Sequence, residues 1–156
     1  MLIRSFPAPM FATNCWVIAP AAGGECIIVD PGMPDISADI EMIIEESKLK
    51  PVAAFITHGH LDHCGWLPKL VNDGFRGKIF CTSPTKEIAR VILYDSAKIQ
   101  EEEAQRANKE KYSKHEPAIP LYTVDDVNKV IPLFRVVDLD LDITITDDIY
   151  FSFFYA

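Results

Sequence analysis

The chain has 156 residues, 49% of them hydrophobic and 24% charged, with a formal net charge of −8. Length and composition suit one compact domain with a core of its own, and no apolar run approaches the ~20 residues that span a bilayer. The acidic balance weighs against a free-standing nucleic-acid binder, because phosphates are drawn to Lys and Arg. Residues 1–20 show no basic start, continuous apolar stretch or small-residue cleavage site, which sets a cytoplasmic expectation with no membrane attachment.

Residues 13–19 (TNCWVIA) and 25–30 (ECIIVD) read as two strands joined by the Gly23-Gly24 turn, after which Asp30-Pro31-Gly32 breaks the chain. A helix over roughly residues 37–48 follows, with Ile36, Ile40, Ile43 and Ile44 at helical spacing. Pro51 ends the connection. An apolar strand, 52–56, then runs into Thr57-His58-Gly59-His60-Leu61-Asp62-His63. A short helix carrying Trp66, Leu67, Leu70 and Val71 closes at Asn72-Asp73-Gly74, and residues 78–82 (KIFCT) read as a buried strand. Ser83-Pro84 opens a long helix, with Pro84 as its first residue, reaching about residue 108. Its apolar stripe is Ile88, Val91, Ile92 and Ile99, and Glu101-Glu102-Glu103 reads as a solvated face.

Residues 109–120, polar and holding two prolines, read as a loop. A helix starts after Thr123, where Asp126 stands three positions on, as in a capping box. Three strand-like runs follow, at 134–139, 142–146 and 149–155. Strands alternating with helices predict a layered α/β architecture in a single domain covering residues 1–156. Cys15, Cys26 and Cys81 lie in apolar runs and read as buried, reduced thiols. Cys64, next to His63, either lines the site or packs at a helix start.

The run from His58 to His63 carries the chemistry. Three of the four histidines and a carboxylate fall within six positions, and these are ligands that suit zinc and similar divalent ions. His58 and His60 are two apart, so on an extended segment both project to one side and one metal takes both. Asp62 and His63 are adjacent and diverge from that pair where the strand end turns into helix, so they serve a second metal. Two metals about 3.5–4 Å apart can hold a bridging hydroxide, which is the chemistry of hydrolysis. His115 has a loop context and reads as structural or solvent-exposed.

THGHLDH, preceded by an apolar strand and by IIVDPG at 27–32, resembles the metallo-β-lactamase superfamily, whose sheets are sandwiched between helices in an αββα arrangement. The resemblance implies that His58 and His60 ligate a first metal, and Asp62 and His63 a second, with zinc as the expected ion and iron or manganese also suited. It makes Asp62 and Asp30 the catalytic carboxylates, Asp30 supporting the site from a strand end. Residues 1 to about 60 are similar to compact hydrolases like glyoxalase II. From about 60 onward the chain is similar to the β-CASP branch of RNA-processing nucleases. The family's further ligands, another histidine for each metal and a bridging aspartate, find no counterpart here. The fold is therefore expected as the N-terminal part of the sandwich, incomplete, with weak metal binding and little hydrolysis by this chain alone.

Three functions follow as expectations. The first is a metal-dependent RNA phosphodiesterase using a hydroxide held by two metals. The second is a small thioester or ester hydrolase, and the third a non-catalytic fold part or binding module. An uncovered apolar sheet face would drive self-association.

Overall fold

The computed structural model describes residues 1–8, 12–32 and 34–154, so Tyr155, the last residue of the run expected at 149–155, and Ala156 after it lie outside the described part. Its strands are β1 (Leu2–Pro7), β2 (Asn14–Ala19), β3 (Glu25–Val29), β4 (Lys50–Phe55), β5 (Lys78–Cys81), β6 (Phe134–Val136), β7 (Ile143–Thr146) and β8 (Ile149–Phe151). The helices are α1 (Ser37–Glu46), α2 (Leu61–Cys64), α3 (Leu67–Asn72), α4 (Ser83–Glu110) and α5 (Val124–Val130), with single 3-10 turns before α1 and after α5.

Strands β1 to β6 form one sheet in sequence order, antiparallel from β1 to β3 and parallel from β3 to β6. Strand β1 pairs along its whole length with β2 yet is mostly solvent-exposed. LIRSFP lacks a clean alternation of apolar and polar residues, so as an edge strand it left little trace in the sequence.

Alternate side chains of each strand go to opposite layers. Cys15, Val17, Cys26 and Ile28 pack against Ile36 and Ile40 of the α1 region. Further along the same side, Ile56, Ile79 and Cys81 meet Leu67, Leu93, Val127 and Val130 from the helices. On the other face Ile27, Ala53 and Phe55 are covered by the β7–β8 hairpin through Ile149, Ile145 and Phe151. The hairpin covers only part of that face: Ile3 and Trp16 remain exposed, and they are the material of the self-association expectation.

Helix α4 corrects one expectation. Its buried line is Thr85, Ala89, Leu93 and Ala97, whereas Ile88, Val91 and Ile99 are 49%, 62% and 58% exposed. Small side chains let the helix axis approach its neighbours α5, α2 and β6, and closeness there gains more packing than the larger isoleucines could fit. The helix also starts one residue earlier than expected, with Thr82 as N-cap and Pro84 second. Of the acidic run, Glu101 accepts a hydrogen bond from the Val124 amide at 3.1 Å and Glu103 one from the Tyr112 hydroxyl. The capping box at α5 is complete: the Thr123 side chain accepts from the Asp126 amide and the Asp126 carboxylate accepts from the Thr123 amide at 2.9 Å. Among the described residues no helix is long and apolar enough to cross a membrane.

Candidate metal centre

Asp30 and the histidine loop come together at the C-terminal ends of two adjacent parallel strands, β3 and β4. Open α/β sheets place their ligands at strand ends of this kind, because the loops there diverge and leave a crevice. Asp30 takes a left-handed backbone conformation, φ 51°, and its amide donates to the Phe55 carbonyl at 2.8 Å. Asp is among the few non-glycine residues that tolerate this region. The twist turns the carboxylate under the histidine loop, where it is 7% exposed.

Three donors meet that carboxylate. The Thr57 amide donates to Oδ1 at 2.8 Å, the Thr57 hydroxyl to Oδ2 at 2.7 Å, and His63 Nδ1 stands 2.9 Å from Oδ2. An ionised carboxylate only accepts, so the proton of that last bond lies on His63 Nδ1. His63 Nε2 then faces Asp62 Oδ2 at 3.5 Å. Two acceptors facing each other at that range repel unless a cation, or a second proton on the ring, lies between them.

Backbone contacts lock the two loops together. The Trp66 amide donates to the Pro31 carbonyl at 3.0 Å. Gly32 passes so close to the Asp62–His63 peptide that a Cβ added there would stand 1.8 Å from the Asp62 carbonyl oxygen. On the other side Gly59 lies against Ile88 of α4, where an added Cβ would stand 2.6 Å from the isoleucine side chain. His60 precedes α2 in extended conformation, φ −70° and ψ 151°, so the turn into helix falls between the two pairs of candidate ligands.

The rings of His58 and His60 have centroids 4.7 Å apart, and those of His58 and His63 only 3.8 Å apart. Partial burial lowers the pKa of His58, and its neighbours His63 and His60 lower it further, against the opposing pull of Asp30 and Asp62. The effect favours a neutral ring, the form that can ligate. Cys64 is fully buried rather than lining the site. Its thiol donates to the His60 carbonyl at 3.2 Å and is pushed up to about 12, chiefly by burial and then by Asp30 and Asp62. The other three cysteines are buried and free as well. His115 sits in an exposed loop, away from the candidate ligands.

The donor set suits a divalent ion by its chemistry and by one spacing. With zinc bonds of about 2.0–2.2 Å, two ligands of a tetrahedral site stand roughly 3.3–3.6 Å apart, and Asp62 Oδ2 and His63 Nε2 have that separation. Among the described residues, however, no group of three or more His, Cys, Asp or Glu side chains is gathered to hold an ion.

A cleft of about 470 Å³ adjoins the loop, lined by Thr57, Thr82, Ser83, Pro84, Leu139 and Phe154 among others. A larger one, about 590 Å³, lies between α1 and the turn before β5, at the starting ends of the strands and remote from the histidines. Of the residues that build the site, Thr57 and Gly32 had no role assigned from sequence. Their only signal was position, at a strand end and in the Asp-Pro-Gly turn.

A mixed sheet with an H-x-H-x-D-H loop at the ends of its parallel strands and a supporting aspartate on the neighbouring strand is the arrangement expected from the resemblance in sequence. The sequence profile of the metallo-beta-lactamase superfamily matches residues 8–138, and the chain belongs to that superfamily. An uncharacterised protein of Mycobacterium leprae is 43% identical over 75 residues, which cover 48% of this chain and 34% of that protein. The transcription termination factor FttA of Methanococcus maripaludis is 41% identical over 51 residues, covering 33% of this chain and 8% of the factor. The chain thus spans about a third or less of the length of these curated relatives. A beta-lactamase domain protein from Burkholderia ambifaria has a similar fold, with a TM-score of 0.57, 19% identity and coverage of 93% of this chain and 45% of that one. The expected fold, part of a metallo-β-lactamase sandwich, is therefore the one observed.

Proposed function

We propose that the chain carries the metal-binding half of a metallo-β-lactamase-fold hydrolase whose substrate is the phosphodiester of RNA, with His58 and His60 holding one zinc and Asp62 and His63 a second. Residues 1–156 act in this reading as one unit of the fold. The observation that carries it is the chain of contacts from Asp30 through His63 to Asp62: a buried carboxylate fixes the ring, and the ring's free nitrogen meets a second carboxylate at ligand spacing. Carboxylate–histidine–metal triads are built this way, the outer acid fixing the tautomer and raising ligand basicity.

A divalent ion bound there would supply a water of pKa about 7 and offset charge on the group attacked. The protein's own residues do the positioning. Asp30 keeps the proton of His63 on Nδ1, and Asp62 adds the negative charge that a cation needs. The adjoining cleft by Thr57 and Pro84 gives the substrate a place beside the loop. RNA as substrate is supported by the relative named as a transcription termination factor and by the β-CASP-like run of residues after 60. The net charge of −8 opposes RNA at long range, and bound divalent ions offset part of it locally.

Zinc-loaded protein is to be incubated in parallel with a single-stranded RNA oligonucleotide and with a glutathione thioester, alongside His58→Ala/His60→Ala. The expected result is slow RNA cleavage that the double variant lacks. Thioester hydrolysis without RNA cleavage would overturn the phosphodiester reading in favour of a glyoxalase II-like one.

A further inference from the structure

We propose that Thr57 is a positioning residue that selects which nitrogen of His58 faces outward, passing the influence of Asp30 on by one hydrogen bond. Asp30 Oδ2 lies 2.7 Å from the Thr57 hydroxyl oxygen, and that same oxygen lies 3.1 Å from His58 Nδ1. A hydroxyl has one proton and two lone pairs. The ionised carboxylate accepts only, so the Thr57 proton is spent on Oδ2. What remains toward His58 is a lone pair. The 3.1 Å contact is a hydrogen bond only when His58 Nδ1 carries the hydrogen, which leaves Nε2 as the bare acceptor.

Asp30 thereby sets two rings at once. It acts on His63 directly, at 2.9 Å from Nδ1, and on His58 through Thr57. Both rings end with the proton on Nδ1 and the lone pair on Nε2, although histidine free in water favours the opposite tautomer. One carboxylate on β3 thus prepares a nitrogen from each pair of candidate ligands before any ion arrives. The hydroxyl is what distinguishes this arrangement: valine has nearly the same shape and can relay nothing, while serine keeps the relay. Thr57 is itself solvent-exposed, so neither change disturbs the core.

The metal role of His58 rests on the function proposed above, but the tautomer does not, and this separates the two tests. Metal-free protein with 15N-labelled imidazoles is compared at one mildly alkaline pH by long-range proton–nitrogen correlation. In the native chain and in Thr57→Ser, His58 is expected as the Nδ1–H tautomer. In Thr57→Val it shifts to Nε2–H while His63, held directly, stays Nδ1–H. Zinc titration of the same samples is expected to show about a tenfold loss of affinity in Thr57→Val and recovery in Thr57→Ser, in line with outer partners of metal ligands.

His58 as Nε2–H in the native chain, or as Nδ1–H in Thr57→Val, overturns the relay whatever the zinc result. The expected tautomer shift with no zinc bound by any sample upholds the relay and overturns the metal reading instead. Thr57→Ala, which also lacks the hydroxyl, serves as the second variant and is expected to behave as Thr57→Val does.

Discussion

Asp30→Ala is expected to lower stability by about 2–4 kcal/mol and to remove zinc binding with it. The carboxylate is almost fully buried and receives three donors, two from Thr57 and one from His63. The exposed Thr57 hydroxyl can turn to water. Its amide and the His63 ring cannot do so as easily, and each buried donor left unpaired costs roughly 1–3 kcal/mol. Urea unfolding measures the first effect and zinc titration the second. Asp30→Asn separates them: it keeps the shape and one acceptor oxygen, so stability falls less, but an amide N–H then confronts one of the donors and zinc affinity still drops. Unchanged zinc affinity in both variants would mean that the carboxylate does not organise the loop.

Gly32→Ala is the second large effect. The added methyl would lie 1.8 Å from the Asp62 carbonyl oxygen, 2.0 Å from its carbon and 2.4 Å from the His63 nitrogen. All three are backbone atoms, so no side chain can swing aside. Either the Asp30–Gly32 turn or the start of α2 must move, and both carry the site. Overpacking usually costs about 1–3 kcal/mol and more where the backbone is blocked, so a loss of about 3 kcal/mol is expected. Loosening of the His63–Asp30 bond should accompany it, seen as faster solvent exchange of the His63 Nδ1 proton. A native-like melting midpoint with the bond intact would contradict the close packing of the two loops.

The histidine loop stands out in the sequence because its donors are contiguous: six residues suffice to propose candidate ligands and a pairing for them. The capping box at Thr123 and Asp126 was legible for the same reason, being local. What the sequence hid was contact between distant positions. Thr57 meets Asp30 across 27 residues and His63 meets it across 33, and no spacing rule reaches that far. Helix α4 misled in another way. Its isoleucines outrank its alanines in hydrophobicity, but the fold buries the alanines because a helix pressed close to neighbouring helices has room for little else. Strand β1, exposed along an edge, carried no pattern to read.

The central claim is that the loop from His58 to His63 is a divalent-metal site organised by Asp30. Zinc titration of purified, metal-stripped protein, with His58→Ala/His60→Ala in parallel, tests it most directly. Saturable zinc uptake that the double variant loses is expected, with weak affinity because the described residues offer only paired ligands where a catalytic zinc usually has three. Equal uptake by both proteins, or none by either, would contradict it.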